Sequence, residues 1–275
     1  MGKIKTRKNL SVLLSLMRHS HGILAALKLL CAVALDRVFR RLDYFGIPVT
    51  LRFKEGQVSV DIGTDQLKSY WAIFIDHEYE RIEGFMASNQ GVVIDVGANI
   101  GMFAVRQAWH NPSIARIYCF EPNPFAFVRL CHNIILNKLD SLVIPVPRAL
   151  ANKDGFMPLE IPKIAYTCGA HLAQVPSHHG HALTVECCRL DSFMKLNSIT
   201  SVELLKIDVE GGELDVLLGA QEALEICHRV IVECHNESNL ERVTRLLSSK
   251  GFEPAGQYRK GRNTTVAYFA RRIMK

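Results

Sequence analysis

Across its 275 residues the chain has no C-x-x-C pair, no low-complexity tract and no internal repeat. Its first strand–turn–helix unit lacks the G-x-G-x-x-G triplet of dinucleotide sites, which counts against a nicotinamide-dependent dehydrogenase. No window long enough to span a bilayer is free of charge: Arg18 and Lys28 interrupt the apolar stretches of the N-terminal arm, Leu10–Met17 and Gly22–Leu35. A signal peptide is disfavoured too, because no small-residue cleavage site stands out. A broad basic surface is also missing. Residues 1–41 hold nine of the Lys and Arg residues against Asp36 alone, a net +8, so the remaining 234 residues carry −2 of the overall +6. A nucleic-acid substrate is therefore not expected. The arm itself fits a pair of amphipathic helices, packed on the domain or lying against an anionic membrane surface.

Eight cysteines are present, several within apolar strand or helix patterns, and Cys187 and Cys188 are adjacent. That distribution suits buried free thiols in a reducing, cytoplasmic compartment, and not a disulfide framework. The stretch from Cys168 to Cys188 also holds His171, His178, His179 and His181, but its spacing matches no zinc pattern. Gly169, Pro176 and Gly180 mark it as a surface loop.

What is there begins with Val92 to Gly101, V-V-I-D-V-G-A-N-I-G. An apolar run ends at Asp95, glycines follow at Gly97 and Gly101, and a helical pattern starts at Met102. A strand entering a glycine-bearing turn before a helix places backbone N–H groups at the carboxyl edge of a sheet, where open α/β folds bind cofactors. An acid at the strand tip would repel a pyrophosphate but tolerate an amino group and a sulfonium, which favours S-adenosylmethionine over NAD. A second short strand, Ile117 to Phe120, ends in Glu121-Pro122-Asn123-Pro124. A carboxylate at that neighbouring tip can accept both hydroxyls of a ribose. Pro124 suits the first turn of the next helix.

From residue 91 onward strands and helices alternate as in a doubly wound parallel sheet. Strands are expected at 92–96, 116–120, 142–147, 203–208 and 230–234, then 252–256 and 264–270, with helices at 101–110, 124–137 and 238–249. Residues 156–161 and 182–187 form two further strands flanking the histidine-rich loop as an antiparallel insertion. Three units follow: an arm over 1–41, a lead-in over 42–90 with two short strands and a helix over 68–87, and a cofactor-binding domain over 91–275.

A third stretch, Leu204 to Gly219, reads L-L-K-I-D-V-E-G-G-E-L-D-V-L-L-G. Asp208 and Glu210 stand at the end of its strand, and Glu213 lies in the first turn of the next helix, where a carboxylate suits the dipole. On the following strand Glu233 and His235 alternate onto one face, next to Asp208 if the two strands are neighbours.

Together these stretches resemble the FkbM family of S-adenosylmethionine-dependent methyltransferases. The matching residues are I-D-V-G-A-N-I-G from Ile94, F-E-P-N-P from Phe120 with Asn133 and Asn137, Asp154-Gly155, Leu190-Asp191, L-L-K-I-D-V-E-G from Leu204, and E-x-H from Glu233 to His235. The lead-in F-I-D-H-E-Y, Phe74 to Tyr79, matches as well. The resemblance covers roughly residues 70 to 250 and leaves the arm outside. It implies an α/β, Rossmann-like class I methyltransferase fold: a mostly parallel seven-stranded sheet of order 3-2-1-4-5-7-6 with helices on both faces. It also implies methylation of a hydroxyl on a sugar, glycan or secondary metabolite.

On this reading Asp95, Gly97, Ala98, Asn99, Gly101, Glu121, Pro122 and Asn123 form the cofactor site. His235 is the expected general base, with Asp208 to orient it and Glu210 beside them. A divalent ion held by Asp208, Glu233 and His235 is an open alternative. An RNA methyltransferase and a non-catalytic nucleoside-binding protein of the same fold are the rivals.

Overall fold

A computed structural model describes residues 47–52, 56–62, 66–87, 90–162, 169–173, 181–261 and 263–272. The expected arm and most of the histidine-rich loop lie outside the described residues. The lead-in opens with the antiparallel pair β1 (Ile47–Arg52) and β2 (Gln57–Ile62). The single helix expected over 68–87 is instead three short pieces: α1 (Gln66–Tyr70), a π-helical turn Trp71–Ile75 and a 3-10 turn Glu78–Glu80. The break falls at His77, whose left-handed φ of 50° no helix can continue through.

The main body runs β3 (Val92–Val96), α2 (Met102–His110), β4 (Arg116–Phe120), α3 (Pro124–Leu136) and β5 (Val143–Val146). An insertion follows, made of β6 (Ala149–Leu150), β7 (Gly155–Ile161), β8 (His171–Leu172) and β9 (His181–Cys188). The chain returns through α4 (Leu190–Leu196), which has no counterpart in the sequence reading, then β10 (Val202–Ile207), α5 (Glu213–Leu218) and β11 (Cys227–Cys234). It closes with α6 (Glu237–Ser249), β12 (Phe252–Arg259) and β13 (Thr265–Arg271).

The seven-stranded sheet has order β5-β4-β3-β10-β11-β13-β12, which is 3-2-1-4-5-7-6 by position within it. Its first five strands are parallel, and β13 lies antiparallel to both β11 and β12. Alternation along each strand divides the core. Val93, Ile117, Leu204 and Ile231 pack with α2, α3 and the lead-in on one face. Ile94, Phe120, Leu205 and Val230 pack with α4, α5 and α6 on the other. The chain leaves β3 in one direction to β4 and in the other to β10, so the crevice at their carboxyl ends is the binding position of this topology. The insertion forms its own four-stranded sheet, β6-β9-β7-β8, in which β7 and β9 pair antiparallel as expected. Among the described residues no helix is long and apolar enough to cross a membrane.

Two asparagines one turn apart fasten the lead-in to the body. Asn133 is fully buried; its Oδ1 accepts from Ser59 N at 2.7 Å while its Nδ2 donates to Ser59 O at 3.2 Å and Ile100 O at 2.9 Å. Asn137 repeats the exchange with the backbone of Gln57, at 3.1 and 2.6 Å. The helix thereby completes the hydrogen bonding of a strand edge that would otherwise be buried unsatisfied. Asn133→Ala orphans three backbone groups at once, and each buried unsatisfied group costs about 1–3 kcal/mol. With partial relaxation, the expected destabilisation is about 2–4 kcal/mol, read as a lower urea midpoint at unchanged m value. A shift below about 1 kcal/mol would remove Asn133 as the fastening point.

Candidate active site

The crevice opens into a cavity of about 1030 Å³ whose floor includes Gly97, Asn99, Glu121 and Pro122 on one side and Asp208, Glu210 and His235 on the other. Seven of the eleven residues expected at the site thus reach one cavity. The other four lie behind it. Asn123 is fully buried and caps α3, its Oδ1 accepting from Phe125 N at 3.1 Å. Ala98 is buried under the turn, and at Gly101 (φ 82°) a Cβ would stand 2.5 Å from Leu130 Cδ1.

Asp95 is the clearest correction. It does not point at a ligand but is fully buried, because period-two alternation turns it to the face that carries Val93 and α2. Its partner is Lys206, directly across in register on β10, with Nζ 2.9 Å from Asp95 Oδ1. Lys206 also donates to Gly97 O at 2.9 Å and lies 5.9 and 5.8 Å from the ring centroids of Tyr79 and Phe103. Burial works against its charge, yet the Asp95 and Asp208 carboxylates leave its pKa raised.

The two strand tips that bound the cleft touch. Gly97, at φ 72°, sits so close to β10 that a Cβ would fall 1.8 Å from Asp208 O. Only glycine permits that approach. Glu121, at the tip of β4, is 6% exposed. Its Oε2 accepts from Asn99 N at 2.7 Å and its Oε1 from Asn123 N at 2.9 Å. Burial raises its pKa to about 7 despite both backbone hydrogen bonds.

At the opposite wall, β10 and β11 bring Asp208, Glu210, Glu233 and His235 together. Glu213, not Asp208, orients the imidazole: its Oε1 lies 2.7 Å from His235 Nδ1 and accepts from Gly211 N at 2.8 Å, while Oε2 accepts from Asn239 Nδ2. Nε2 then faces Glu210 Oε2 at 3.1 Å and both Asp208 Oδ1 and Glu233 Oε1 at 3.8 Å. Burial disfavours the imidazolium, but the Glu213 hydrogen bond and the surrounding carboxylates raise the His235 pKa to about 9. Glu233 is pushed up to about 7 by burial and by Asp208, against the pull of Lys260. Glu210 is raised by burial and by Asp208.

Three contributors escaped the sequence reading. Tyr79 comes from the lead-in, its hydroxyl 3.4 Å from Glu233 Oε2 and 3.5 Å from Asp208 Oδ2. Lys260, from the turn between β12 and β13, lies 2.9 Å from Glu233 Oε2 and 3.2 Å from Glu78 Oε2. Lys206 carried a usable signal: a lysine inside an apolar strand, one position from the tip, matches Asp95 in the partner strand. The histidine-rich stretch, read as a surface loop, is described only at its edges. His171 is a strand residue 3.7 Å from Glu160 Oε2 that lines the cavity from the side of the insertion.

Comparison with known proteins agrees with this architecture. Residues 95–254 match the model of the methyltransferase FkbM domain. The hexuronic acid methyltransferase AglP of Haloferax volcanii is 33% identical over 162 residues, covering 59% of this chain and 63% of that protein. The 31-O-demethyl-FK506 methyltransferase FkbM of Streptomyces tacrolimicus is 29% identical over 233 residues, 74% of this chain and 88% of that one. The crystal structure of a methyltransferase FkbM from Methylobacillus flagellatus aligns at a TM-score of 0.51 with 14% identity, covering 95% of this chain and 59% of that one.

Removing the ammonium while keeping the bulk tests how far the buried pair supports the cleft. Lys206→Met leaves Asp95 buried without a counter-charge, and breaking such a pair from one side costs about 3–5 kcal/mol. Chemical denaturation at neutral pH is expected to show a loss of that size, and a loss below about 1 kcal/mol would make the pair dispensable.

Proposed function

The chain belongs to the FkbM methyltransferase family, and from that premise we propose that it methylates a hydroxyl oxygen of a sugar or secondary metabolite with S-adenosylmethionine as donor. The observation that carries this reading is the meeting of two unlike sites in one cavity: a nucleoside-type cradle on β3 and β4, and a carboxylate–imidazole cluster on β10 and β11. The cradle suits the donor. Gly97 keeps the turn open beside the backbone of β10, and the Glu121 carboxylate is presented to the cavity by two amide donors, with oxygen lone pairs remaining for ribose hydroxyls. Bound there, the donor supplies a methyl carbon already activated by its sulfonium.

The protein's own task is to position the acceptor and remove its proton. His235 cannot readily take that proton at neutral pH, since it stands within hydrogen-bond distance of Glu213 and Glu210 and keeps its own. We therefore assign proton acceptance to Glu210, whose carboxylate lines the cavity, is half-exposed and is more basic than an ordinary glutamate. His235 and Asp208 hold Glu210 and the incoming hydroxyl in place. The relatives' printed activities support the acceptor class: one acts on a hexuronic acid, one on demethyl-FK506, and NoeI of Sinorhizobium fredii is a 2-O-methyltransferase. The net charge of −2 on residues outside the arm supports a small acceptor over RNA.

Calorimetry with S-adenosylmethionine tests the cradle. Glu121→Ala loses charge-assisted contacts of about 1.5–3 kcal/mol, or one to two decades of affinity. With a Glu121 pKa of about 7, wild-type affinity declines as the pH falls through neutrality and the carboxylate protonates, and Glu121→Gln abolishes that dependence. Unchanged affinity in both variants removes Glu121 from the site.

Turnover of a hydroxylated acceptor tests the other wall. Glu210→Gln is expected to lower kcat by about 10²–10⁴-fold, the contribution of a positioned base, while donor affinity stays near wild type. His235→Ala lowers kcat in the same direction by releasing Glu210. Normal turnover in Glu210→Gln moves the proton to Asp208.

A further inference from the structure

We propose that Asp208, Glu233 and His235 form a divalent-cation site at the floor of the acceptor side of the cavity. One donor atom from each lies within 4.8 Å of the others, and Nε2 is 3.8 Å from both Asp208 Oδ1 and Glu233 Oε1. Donors around one ion at ~2.1 Å stand ~3 Å apart when adjacent and ~4 Å when opposite. Each side chain has to move by less than ~1 Å to reach that arrangement.

Two further observations point to a ligand beyond mere proximity. The first is the unused oxygen of Glu233. This side chain is 6% exposed and spends Oε2 on Lys260 and Tyr79, whereas Oε1 faces Nε2 from beyond hydrogen-bond reach and accepts no hydrogen bond among the described residues. That oxygen lies at the cavity wall with the His235 imidazole, 3.8 Å away, as its nearest ion-pair neighbour, and so is open to a closer cation. The second is the posture of His235. Glu213, itself fully buried, engages Nδ1 and is in turn held by Gly211 N and Asn239. A carboxylate behind one ring nitrogen, with the other nitrogen turned toward further carboxylates, is the arrangement by which proteins orient a metal-binding imidazole. Of the two lysines that face the cluster, Lys206 sits on Asp95 and Lys260 on the far oxygen of Glu233, which leaves the space between Oδ1, Oε1 and Nε2 to another charge.

Two carboxylates and one imidazole suit a divalent first-row ion such as Mn²⁺, with open coordination positions toward the cavity, and the incoming ion displaces the proton that Nε2 otherwise holds toward Glu210. Glu210, at the rim, stays outside this set and keeps its place as proton acceptor. The role of the ion is to hold and acidify the acceptor hydroxyl, so this part rests on the methyltransferase reading, while cation binding does not.

The test uses Mn²⁺ alone, added to the full chain without donor or acceptor and followed by electron paramagnetic resonance. The expected result is one bound Mn²⁺ per chain with a ¹⁴N coupling from a directly bound imidazole. His235→Gln abolishes the coupling, Asp208→Asn weakens binding at least tenfold, and Glu213→Gln weakens it by about 10–100-fold as an outer-sphere partner. Glu253→Gln, a remote exposed acid paired with Arg272, leaves binding unchanged. Absence of bound Mn²⁺ at millimolar concentration, or bound Mn²⁺ without ¹⁴N coupling in the wild type, overturns the proposal even if every variant fails to fold. Parallel calorimetry with S-adenosylmethionine keeps the two readings apart: donor binding without Mn²⁺ binding sinks the cation site alone, and the converse sinks the methyltransferase reading alone.

Discussion

The Asp95–Lys206 pair is the constraint on which the rest of the site depends. Both side chains are buried between the central strands β3 and β10, so neither can keep its charge without the other. The pair also serves alignment. Because Lys206 donates to Gly97 O as well, the ammonium ties the turn after β3 to the strand that ends at Asp208. The turn after β3 and the carboxylate cluster on β10 and β11, proposed above as donor cradle and acceptor wall, are thereby held at one spacing. Tyr79 and Phe103 close over the ammonium and bring the lead-in into the same assembly. A buried charge of this kind is costly as a source of stability, but it specifies a register that apolar residues would leave free to slip.

Glycine, in contrast, acts here by what it omits. At Gly97 the two strand tips come within a distance that no Cβ can enter, and the cleft is narrow because of it. On the acceptor side the geometry is set by charge. Four carboxylates within 4 Å of one imidazole leave His235 no freedom to turn. Burial first, and the neighbouring Asp208 carboxylate second, give Glu210 and Glu233 their raised pKa values.

Much of this was legible in the residues, for identifiable reasons. The edges of β3, β4 and α3 followed from short apolar runs ended by Asp, Pro and Gly, which are local signals, whereas the order of the seven strands followed from the family resemblance alone. Glu121 and the meeting of Asp208 with His235 followed from strand tips that the topology makes neighbours. What misread was burial. Asp95 shares a face with Glu121 but pairs in register with Cys119, two residues below that tip, where β10 and Lys206 cover it, and a position count cannot see how deep a side chain is buried. Glu213 was read by its local fit to a helix dipole, though its decisive contact is with a side chain on another strand. Lys260 and Tyr79 come from segments distant in the chain, and nothing in their surroundings announces the destination. The lead-in failed differently: an apolar pattern of helical period ran on past Ile75, and a single left-handed residue at His77 ended it.

The insertion between β5 and α4 has a consequence for how such a protein can change. Its sheet is separate from the main one, and its own small core of Ala149, Leu159, Ile161 and Val185 is distinct from the two that bury the cofactor-side strands. Yet Phe156, Met157, Leu159 and Leu172 form a wall of the cavity. Residues on that wall are therefore free to drift, lengthen or be exchanged without disturbing Lys206, Gly97 or Glu121. A change on that wall is therefore expected to alter what the cavity admits while the buried pair and the glycine turn that shape the cleft stay as they are.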